Sequence, residues 1–153
     1  MNALELKVPP LVVTALFAAL MWLATFLFPS MTNAVAGQGA FATFFAVAGA
    51  ATALAGVAAL RRASTTLDPT RPESAGALVT DGIYRATRNP VYLGFLLALI
   101  GWGVWLGHPG SLLLVPLFPL YLNRFQIEPE ERALGARFDE AFERYARETR
   151  RWL

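Results

Sequence analysis

Charged residues are missing from two long stretches of the chain, residues 8–60 and residues 90–123. The first stretch holds two apolar segments, 8–29 and 39–60, joined by a short loop over 30–38. A helix of about 20 apolar residues is long enough to span the hydrocarbon core of a bilayer. The pattern therefore predicts two transmembrane helices in the first half of the chain.

The first apolar segment has an alternative interpretation, because Ala34-Val35-Ala36 has the form of a signal-peptide cleavage site. The apolar part of a signal peptide is about 7–15 residues long, which is shorter than 8–29. We therefore favour a retained membrane span.

The second uncharged stretch predicts a short helical hairpin over 90–124. Asn89 is a favoured N-cap, and Pro90 fits the first helical position. The parts of the hairpin are a helix over 90–106, a turn at 107–110, and a helix over 111–124 that is bent at Pro116 and Pro119. Each arm is about 20–25 Å long, so the hairpin either crosses a thinned bilayer or stops short of crossing.

The charged parts of the chain are a connector over 61–89 and a C-terminal helix over 129–150. This helix carries an apolar stripe at 3.6-residue spacing, formed by Leu134, Phe138, Ala141, Phe142 and Tyr145. Such an amphipathic helix lies on a membrane surface or caps a bundle. The elements together predict one all-α domain over 1–153, an integral membrane bundle of four hydrophobic helices with a C-terminal amphipathic helix.

Small residues recur at four-residue spacing within 39–60, as Gly49 with Ala53 and Thr52 with Gly56. Small residues at this spacing let two helices approach closely in lipid. The spacing fits packing within one chain and packing in a dimer equally well, so the oligomeric state stays open.

The distribution of arginine predicts the orientation in the membrane. The connector 61–89 holds five arginines and the tail 124–153 holds seven, whereas the loops 30–38 and 107–110 hold neither Lys nor Arg. Short loops rich in Lys and Arg stay in the cytoplasm. With four crossings, both termini and both charged segments lie on the cytoplasmic face.

Composition narrows the possible chemistry. The chain is 56% hydrophobic and only 16% charged, with no cysteine and a single histidine, His108. Thiolate chemistry, disulfides and cysteine-ligated metals are excluded, and a histidine-based metal site or serine triad is disfavoured. The net charge of +2 is small and argues against nucleic-acid binding. Membrane lipids and a hydrophobic ligand are the expected partners.

Two polar clusters at the ends of the predicted spans form the candidate site. In the first cluster, free amides at the helix start after Asn89 attract anions, and Arg88 suits a carboxylate or phosphate. In the second cluster, Glu131 projects onto the apolar stripe and Glu130 flanks it, and a carboxylate in such a position needs a partner. Purely structural interpretations remain open, since Tyr and Arg are common at membrane interfaces and acidic residues are common in a first helical turn.

The chain resembles the superfamily of isoprenylcysteine carboxyl methyltransferases and phospholipid methyltransferases at these residues. The matching elements are Gly82-Ile83-Tyr84, Arg88-Asn89-Pro90-Val91-Tyr92-Leu93-Gly94, an apolar hairpin, Glu130-Glu131, Leu134, Phe138, Tyr145 and Arg150-Arg151-Trp152. The resemblance covers about the second half of the chain.

This resemblance implies an S-adenosylmethionine-dependent methyltransferase of a bacterial inner membrane, with the cofactor held at the cytoplasmic face. The implied cofactor-binding residues are Tyr84, Arg88, Asn89, Pro90, Val91, Tyr92, Gly94 and Glu130, of which Glu130 would meet the cationic methionine part. The candidate catalytic residues are Arg124, Gln126 and Glu131. The methyl acceptor would be a hydrophobic or lipid-like carboxylate or amine.

Two positions depart from the family pattern. Asn89 replaces a histidine and cannot carry a proton. Gln126 stands where prenylcysteine-type enzymes often place an arginine for the substrate carboxylate, and on a helix Arg124 points about 160° away from that position. These departures leave a non-catalytic lipid-binding or partner module as an alternative. A nicotinamide-dependent membrane reductase is a further alternative, because sterol reductases share a similar helical layout.

Overall fold

The computed structural model describes residues 5–33 and 36–153, and within these ranges the ordered elements are helices and turns, without strands. The main helices are α1 (Pro10–Leu27), α2 (Gln38–Arg62), α3 (Pro90–Leu106), α4 (Pro109–Leu114), α5 (Leu117–Leu122) and α6 (Glu128–Glu148). A π-helical turn over Asn123–Ile127 joins α5 to α6. The expected all-α membrane bundle is confirmed.

Helices α1 and α2 are each long and apolar enough to span a membrane. The apolar side chains on the outside of the bundle remain exposed, as expected of a surface that faces lipid. They include Leu11, Leu16, Leu20, Phe26, Phe41, Phe44, Val47, Leu54, Leu113 and Leu120. Ala34 and Val35, which belong to the possible cleavage motif, lie outside the described residues.

Helices α2 and α3 pack closely because glycines face each other across their contact. A Cβ atom added to Gly94 would lie 2.6 Å from the carbonyl oxygen of Gly49 and 2.7 Å from the Cβ of Ala53. At the end of the pair nearest the connector 61–89, Gly56 lies against Pro90 in the same way. The small-residue face of α2 is therefore used within the chain, and it fixes the position of the start of α3.

Helix α1 packs against α3 on its other side, and polar bonds join it to α3 and α4. The indole Nε1 of Trp102 donates to the carbonyl of Ala18 (3.0 Å), and the Ser111 hydroxyl donates to the carbonyl of Met21 (2.6 Å). Phe118 of α5 is fully buried against this group. These contacts close the bundle at the end away from the charged segments.

The turn between α3 and α4 is tight. Gly107 ends α3 with a left-handed conformation (φ 59°), and α4 begins two residues later at Pro109. The buried His108 accepts a hydrogen bond from the amide of Ser111 at Nδ1 and donates from Nε2 to the carbonyl of Phe28. His108 is therefore a turn residue, which ties this loop to the end of α1.

The segment after α4 is more continuous than the sequence predicts. The bend falls at Val115 and Pro116. Pro119, by contrast, lies in the first turn of α5, where a backbone amide has no acceptor within the helix, so proline causes no loss of a hydrogen bond. The π-helical turn then leads directly into α6, without a loop.

Helix α6 contains a break at Asp139, whose backbone is not helical (φ 42°, ψ −123°). Most of the predicted apolar stripe is nevertheless kept. Leu134, Phe138, Phe142 and Tyr145 belong to one apolar cluster. Ala141 is exposed, contrary to the predicted stripe, and Ala146 packs against the cluster instead.

Candidate active site

A cavity of about 320 Å³ opens where the connector, the first turn of α3 and the first half of α6 meet. Its volume lies at the lower end of the range of small-molecule sites, about 300–1,000 Å³. The cavity is lined by Pro10, Leu11, Val57, Leu60, Asp68, Pro69, Tyr84, Arg88, Asn89, Pro90, Val91, Tyr92, Phe95, Glu130, Glu131, Leu134, Phe142 and Tyr145, among others.

The start of α3 forms one side of the cavity. Asn89 occupies the N-cap position and Pro90 is the first helical residue, but the Asn89 side chain makes no capping bond. Its amide nitrogen donates instead to the carbonyl of Arg151 (2.9 Å). The backbone amides of the first helical turn have no helical acceptors, so this end of α3 is favourable for an anion.

Glu130 joins α6 to α3 across the cavity. The Tyr92 hydroxyl donates to Oε2 of Glu130 at 2.8 Å. Burial is the main cause that raises the pKa of Glu130, to about 7, and the charge of Glu131 adds to it. Hydrogen bonds from Tyr92 and Gln126 act in the opposite direction. Among the described residues, Glu130 forms no ion pair with an arginine or lysine.

Glu131, by contrast, is held by two arginines, and we call Arg88, Glu131 and Arg151 the arginine–glutamate clamp. Arg88 donates to Oε1 of Glu131 from Nη2 (2.7 Å) and Nε (3.1 Å). Arg151 donates from Nη2 to Oε2 (2.6 Å). The Nη1 of Arg88 also donates to the carbonyls of Ala146 and Thr149. The Glu131 carboxylate is thus fully paired, and the two guanidinium groups leave the clamp with one excess positive charge.

Aromatic residues form the side of the cavity nearest the C-terminal helix. The Tyr145 hydroxyl donates to the carbonyl of Tyr84 (2.8 Å), and both rings are largely buried. Burial raises the pKa of Tyr84 and of Tyr145 above the usual tyrosine value, so both hydroxyls stay protonated at neutral pH. Phe142 packs in the same cluster.

The opposite part of the cavity is apolar and reaches the membrane-spanning helices. Its lining residues come from the start of α1, the end of α2 and the first turns of α3: Pro10, Leu11, Val57, Leu60, Val91 and Phe95. Leu11 is exposed on the outer surface of α1. The cavity therefore has a charged end and an apolar end, an arrangement that suits an amphiphilic ligand.

Most of the candidate residues come together at this cavity. The cavity lining includes Tyr84, Arg88, Asn89, Pro90, Val91, Tyr92, Glu130 and Glu131. Gly94 lies outside the lining, against α2, where it supports the position of α3.

Arg124 and Gln126 also lie outside the lining. The π-helical turn directs them to different neighbours. The Arg124 guanidinium pairs with Glu5 (3.0 Å), while the buried Gln126 donates to the carbonyl of Pro69 (2.7 Å) and so anchors the connector.

Sequence reasoning assigned no role in the site to Arg151 or Thr87. The Thr87 hydroxyl donates to the carbonyl of Arg151 (3.2 Å) and accepts from the amide of Asn89 (3.2 Å). Thr87 lies in the connector and Arg151 near the end of the chain, so no local pattern connects them. The sequence signal that was available is the Arg150-Arg151-Trp152 segment of the family pattern.

Comparison with known proteins identifies the family. The profile described as "Phospholipid methyltransferase" matches residues 37–141, which is more than half of the chain. The chain belongs to the phospholipid methyltransferase family. The family match spans α2 to α6 up to residue 141, so it includes both polar clusters of the cavity. The expected relationship to membrane methyltransferases is confirmed.

Two relatives are similar to less than half of the chain. An uncharacterized protein of Haemophilus influenzae is 43% identical over 63 residues, which are 41% of this chain and all of that protein. The protein-S-isoprenylcysteine O-methyltransferase of Schizosaccharomyces pombe is 41% identical over 71 residues, which are 44% of this chain. The match spans only 29% of that enzyme. No solved structure matches the chain.

Proposed function

We propose that this family member is an S-adenosylmethionine-dependent methyltransferase that holds the methyl donor in the cavity between α3 and α6. The observation that carries the proposal is Glu130, a carboxylate that faces an otherwise largely apolar cavity and has no cationic side-chain partner among the described residues. A buried carboxylate of this kind is costly unless a cation pairs with it. The donor's ammonium and sulfonium groups are cations of suitable size.

The remaining groups of the donor also find suitable surroundings in the cavity. Its carboxylate suits the free amides at the start of α3, because a helix N-terminus attracts anions. Arg88 lines the same region but is largely engaged in the clamp, so we assign the carboxylate mainly to the helix start. The adenine ring suits the aromatic side formed by Tyr84 and Tyr145.

The acceptor enters from the bilayer in this proposal. The apolar end of the cavity lies between the start of α1 and the end of α2, beside Phe95 of α3. A lipid-like chain placed there would present its polar head, a carboxylate or an amine, toward the donor at the charged end. The donor itself enters from the cytoplasmic side, which holds the arginine-rich connector and tail.

The protein's contribution to catalysis is positioning. When bound, the donor supplies a methyl group that is attached to a positively charged sulfur; the acceptor's electron pair forms the new bond to the methyl carbon, and the sulfur leaves as a neutral thioether. The chain orients both reactants and excludes water from the apolar cavity. Glu130 balances the donor's positive charge, and neither a histidine nor a cysteine is required for this chemistry.

Calorimetric binding of S-adenosylmethionine and S-adenosylhomocysteine to the detergent-purified protein tests this function. Wild type is compared with Glu130→Ala, and Glu143→Ala serves as a control because Glu143 is exposed on the same helix. We expect binding with a micromolar dissociation constant in wild type and in the control, and loss of that binding in Glu130→Ala. A folded wild type that binds neither compound would overturn the proposal and favour a lipid-binding module, whereas binding of a nicotinamide cofactor would favour a reductase.

A further inference from the structure

The last residues of the chain return to the site and bind three separate elements. We call residues 149–152 the C-terminal strap. Its backbone carbonyls accept hydrogen bonds from the segment just before α3: the Arg88 amide donates to the carbonyl of Arg150 (2.9 Å), and the Asn89 side chain donates to the carbonyl of Arg151. The strap therefore lies directly against the start of α3.

The side chain of Arg151 connects the same strap to α6. Its Nη2 donates to Oε2 of Glu131 (2.6 Å), and its Nε donates to Oε1 (3.3 Å). A bidentate arginine–carboxylate pair fixes orientation as well as distance. Because Glu131 follows Glu130 directly, the pair also limits the movement of the carboxylate proposed to meet the donor.

The far end of the strap is anchored in the bundle. The indole Nε1 of Trp152 donates to the Asn123 side chain (3.0 Å) at the π-helical turn. The ring packs against the apolar core of the bundle, the group that includes Phe118. The strap thus touches α3, the π-helical turn and α6. The first turns of α3 and α6 carry the Tyr92–Glu130 bond that crosses the cavity.

We propose that Arg151 is a positioning residue of the donor site, which holds the start of α3 against the start of α6 through its own carbonyl and through Glu131. The expected effect of Arg151 on donor affinity rests on the proposed function. Its structural part, the ordering of the start of α3, is independent of any ligand. Removing the guanidinium frees Glu131 from one of its two partners and loosens the strap over Asn89.

The test compares Arg151→Gln with Arg150→Gln, whose exposed side chain donates to the carbonyl of Leu153 at 3.5 Å and takes no part in the clamp. Hydrogen exchange of the backbone amides of Arg88, Asn89 and Leu93, which donate to Arg150, Thr87 and Asn89, reports the order of the α3 start without ligand. Calorimetry with S-adenosylmethionine reports the site. We expect Arg151→Gln to exchange these amides faster and to bind the donor about tenfold more weakly, while Arg150→Gln matches wild type in both measurements.

A conservative variant separates positioning from a general loss of stability. Arg151→Lys keeps a charged contact with Glu131 but not the bidentate pair, so we expect an intermediate affinity at an unchanged unfolding temperature. If Arg151→Gln does not fold, Trp152→Phe carries the same test. That variant removes the bond to Asn123 and keeps the aromatic ring, and we expect it to weaken donor binding about threefold.

The outcomes distinguish the two proposals. Faster exchange in Arg151→Gln together with no donor binding by wild type would support the strap and overturn the proposed function. Donor binding by wild type with unchanged exchange and affinity in Arg151→Gln would overturn the role of Arg151 and leave the proposed function standing.

Discussion

The hydroxyl of Tyr92 donates a hydrogen bond to Glu130 across 2.8 Å, and this bond joins the first turn of α3 to the first turn of α6. The two residues are 38 positions apart, separated by the whole hairpin. Tyr92 stabilises the carboxylate, while burial favours the neutral acid and raises the pKa of Glu130 to about 7. Glu130 is thus able to change its charge near neutral pH, where a cationic donor would bind.

Donor affinity should rise with pH through neutrality. Below its pKa of about 7 Glu130 is protonated, so binding a cation must first release a proton, which lowers affinity by up to about tenfold per pH unit. Above pH 7 the dependence should level off. Calorimetry with S-adenosylmethionine at several pH values measures this. Glu130→Gln should bind the donor weakly at all pH values, and its affinity should change with pH only through the ionisable groups of the donor itself. A wild type that behaves in the same way would contradict the role of Glu130.

The same residue should make stability depend on pH. The pKa of Glu130 is raised above the ordinary value of 4.5, so the folded state prefers the neutral acid. The penalty for holding the carboxylate is absent below pH 4.5, grows as pH rises toward 7, and is complete above 7. At pH 8 we expect the free energy of unfolding of Glu130→Gln to exceed that of wild type by on the order of 1–3 kcal/mol, and we expect this advantage to be lost at pH 4. Thermal unfolding of both proteins in detergent at pH 8 and pH 4 measures the sign of this stability difference.

Replacing Gly94 by alanine should disturb the bundle. The new Cβ would lie 2.6 Å from the Gly49 carbonyl and 2.7 Å from the Ala53 amide, which are backbone atoms that cannot rotate away. Overpacking of this kind costs about 1–3 kcal/mol. Gly135→Ala is the matched control, since its nearest neighbour is at 3.7 Å and alanine favours the helix. Equal unfolding temperatures for the two variants would contradict the close approach of α2 and α3.

His108→Ala should lower stability without changing the donor site. The substitution removes two hydrogen bonds of a buried side chain, to the Ser111 amide and the Phe28 carbonyl, while both groups keep a backbone partner. Two lost bonds together cost about 1–3 kcal/mol. His108 lies at the end of the bundle away from the cavity. Thermal unfolding should therefore show a loss, while calorimetry at a lower temperature should show unchanged S-adenosylmethionine affinity.

The predicted orientation can be tested cleanly because the chain has no cysteine. Ser30→Cys places a thiol in the uncharged loop after α1, and Ser74→Cys places one in the arginine-rich connector; both positions are exposed. In intact cells a membrane-impermeant maleimide should label the first variant, and the second only after permeabilisation. The reverse pattern would place the connector and the donor site on the outer face.

The elements that have local signals can be predicted from the sequence alone. Long uncharged stretches identify α1 and α2, because a bilayer requires apolar length. Asn89-Pro90 marks the start of α3, because these residues suit the first positions of a helix. The polar clusters were also predicted as one site, since both lie at the same end of the predicted spans.

The partner of each polar residue, by contrast, follows from the folded arrangement of the helices. The Arg151–Glu131 pair and the bond of Trp152 to Asn123 join distant positions, and a sequence pattern gives no distance between such positions. The π-helical turn directs Arg124 toward Glu5, and Ala141 lies exposed just after the break at Asp139. Local propensity predicts helices, but the direction of a side chain also depends on how many residues each turn contains and on what the folded chain brings against it.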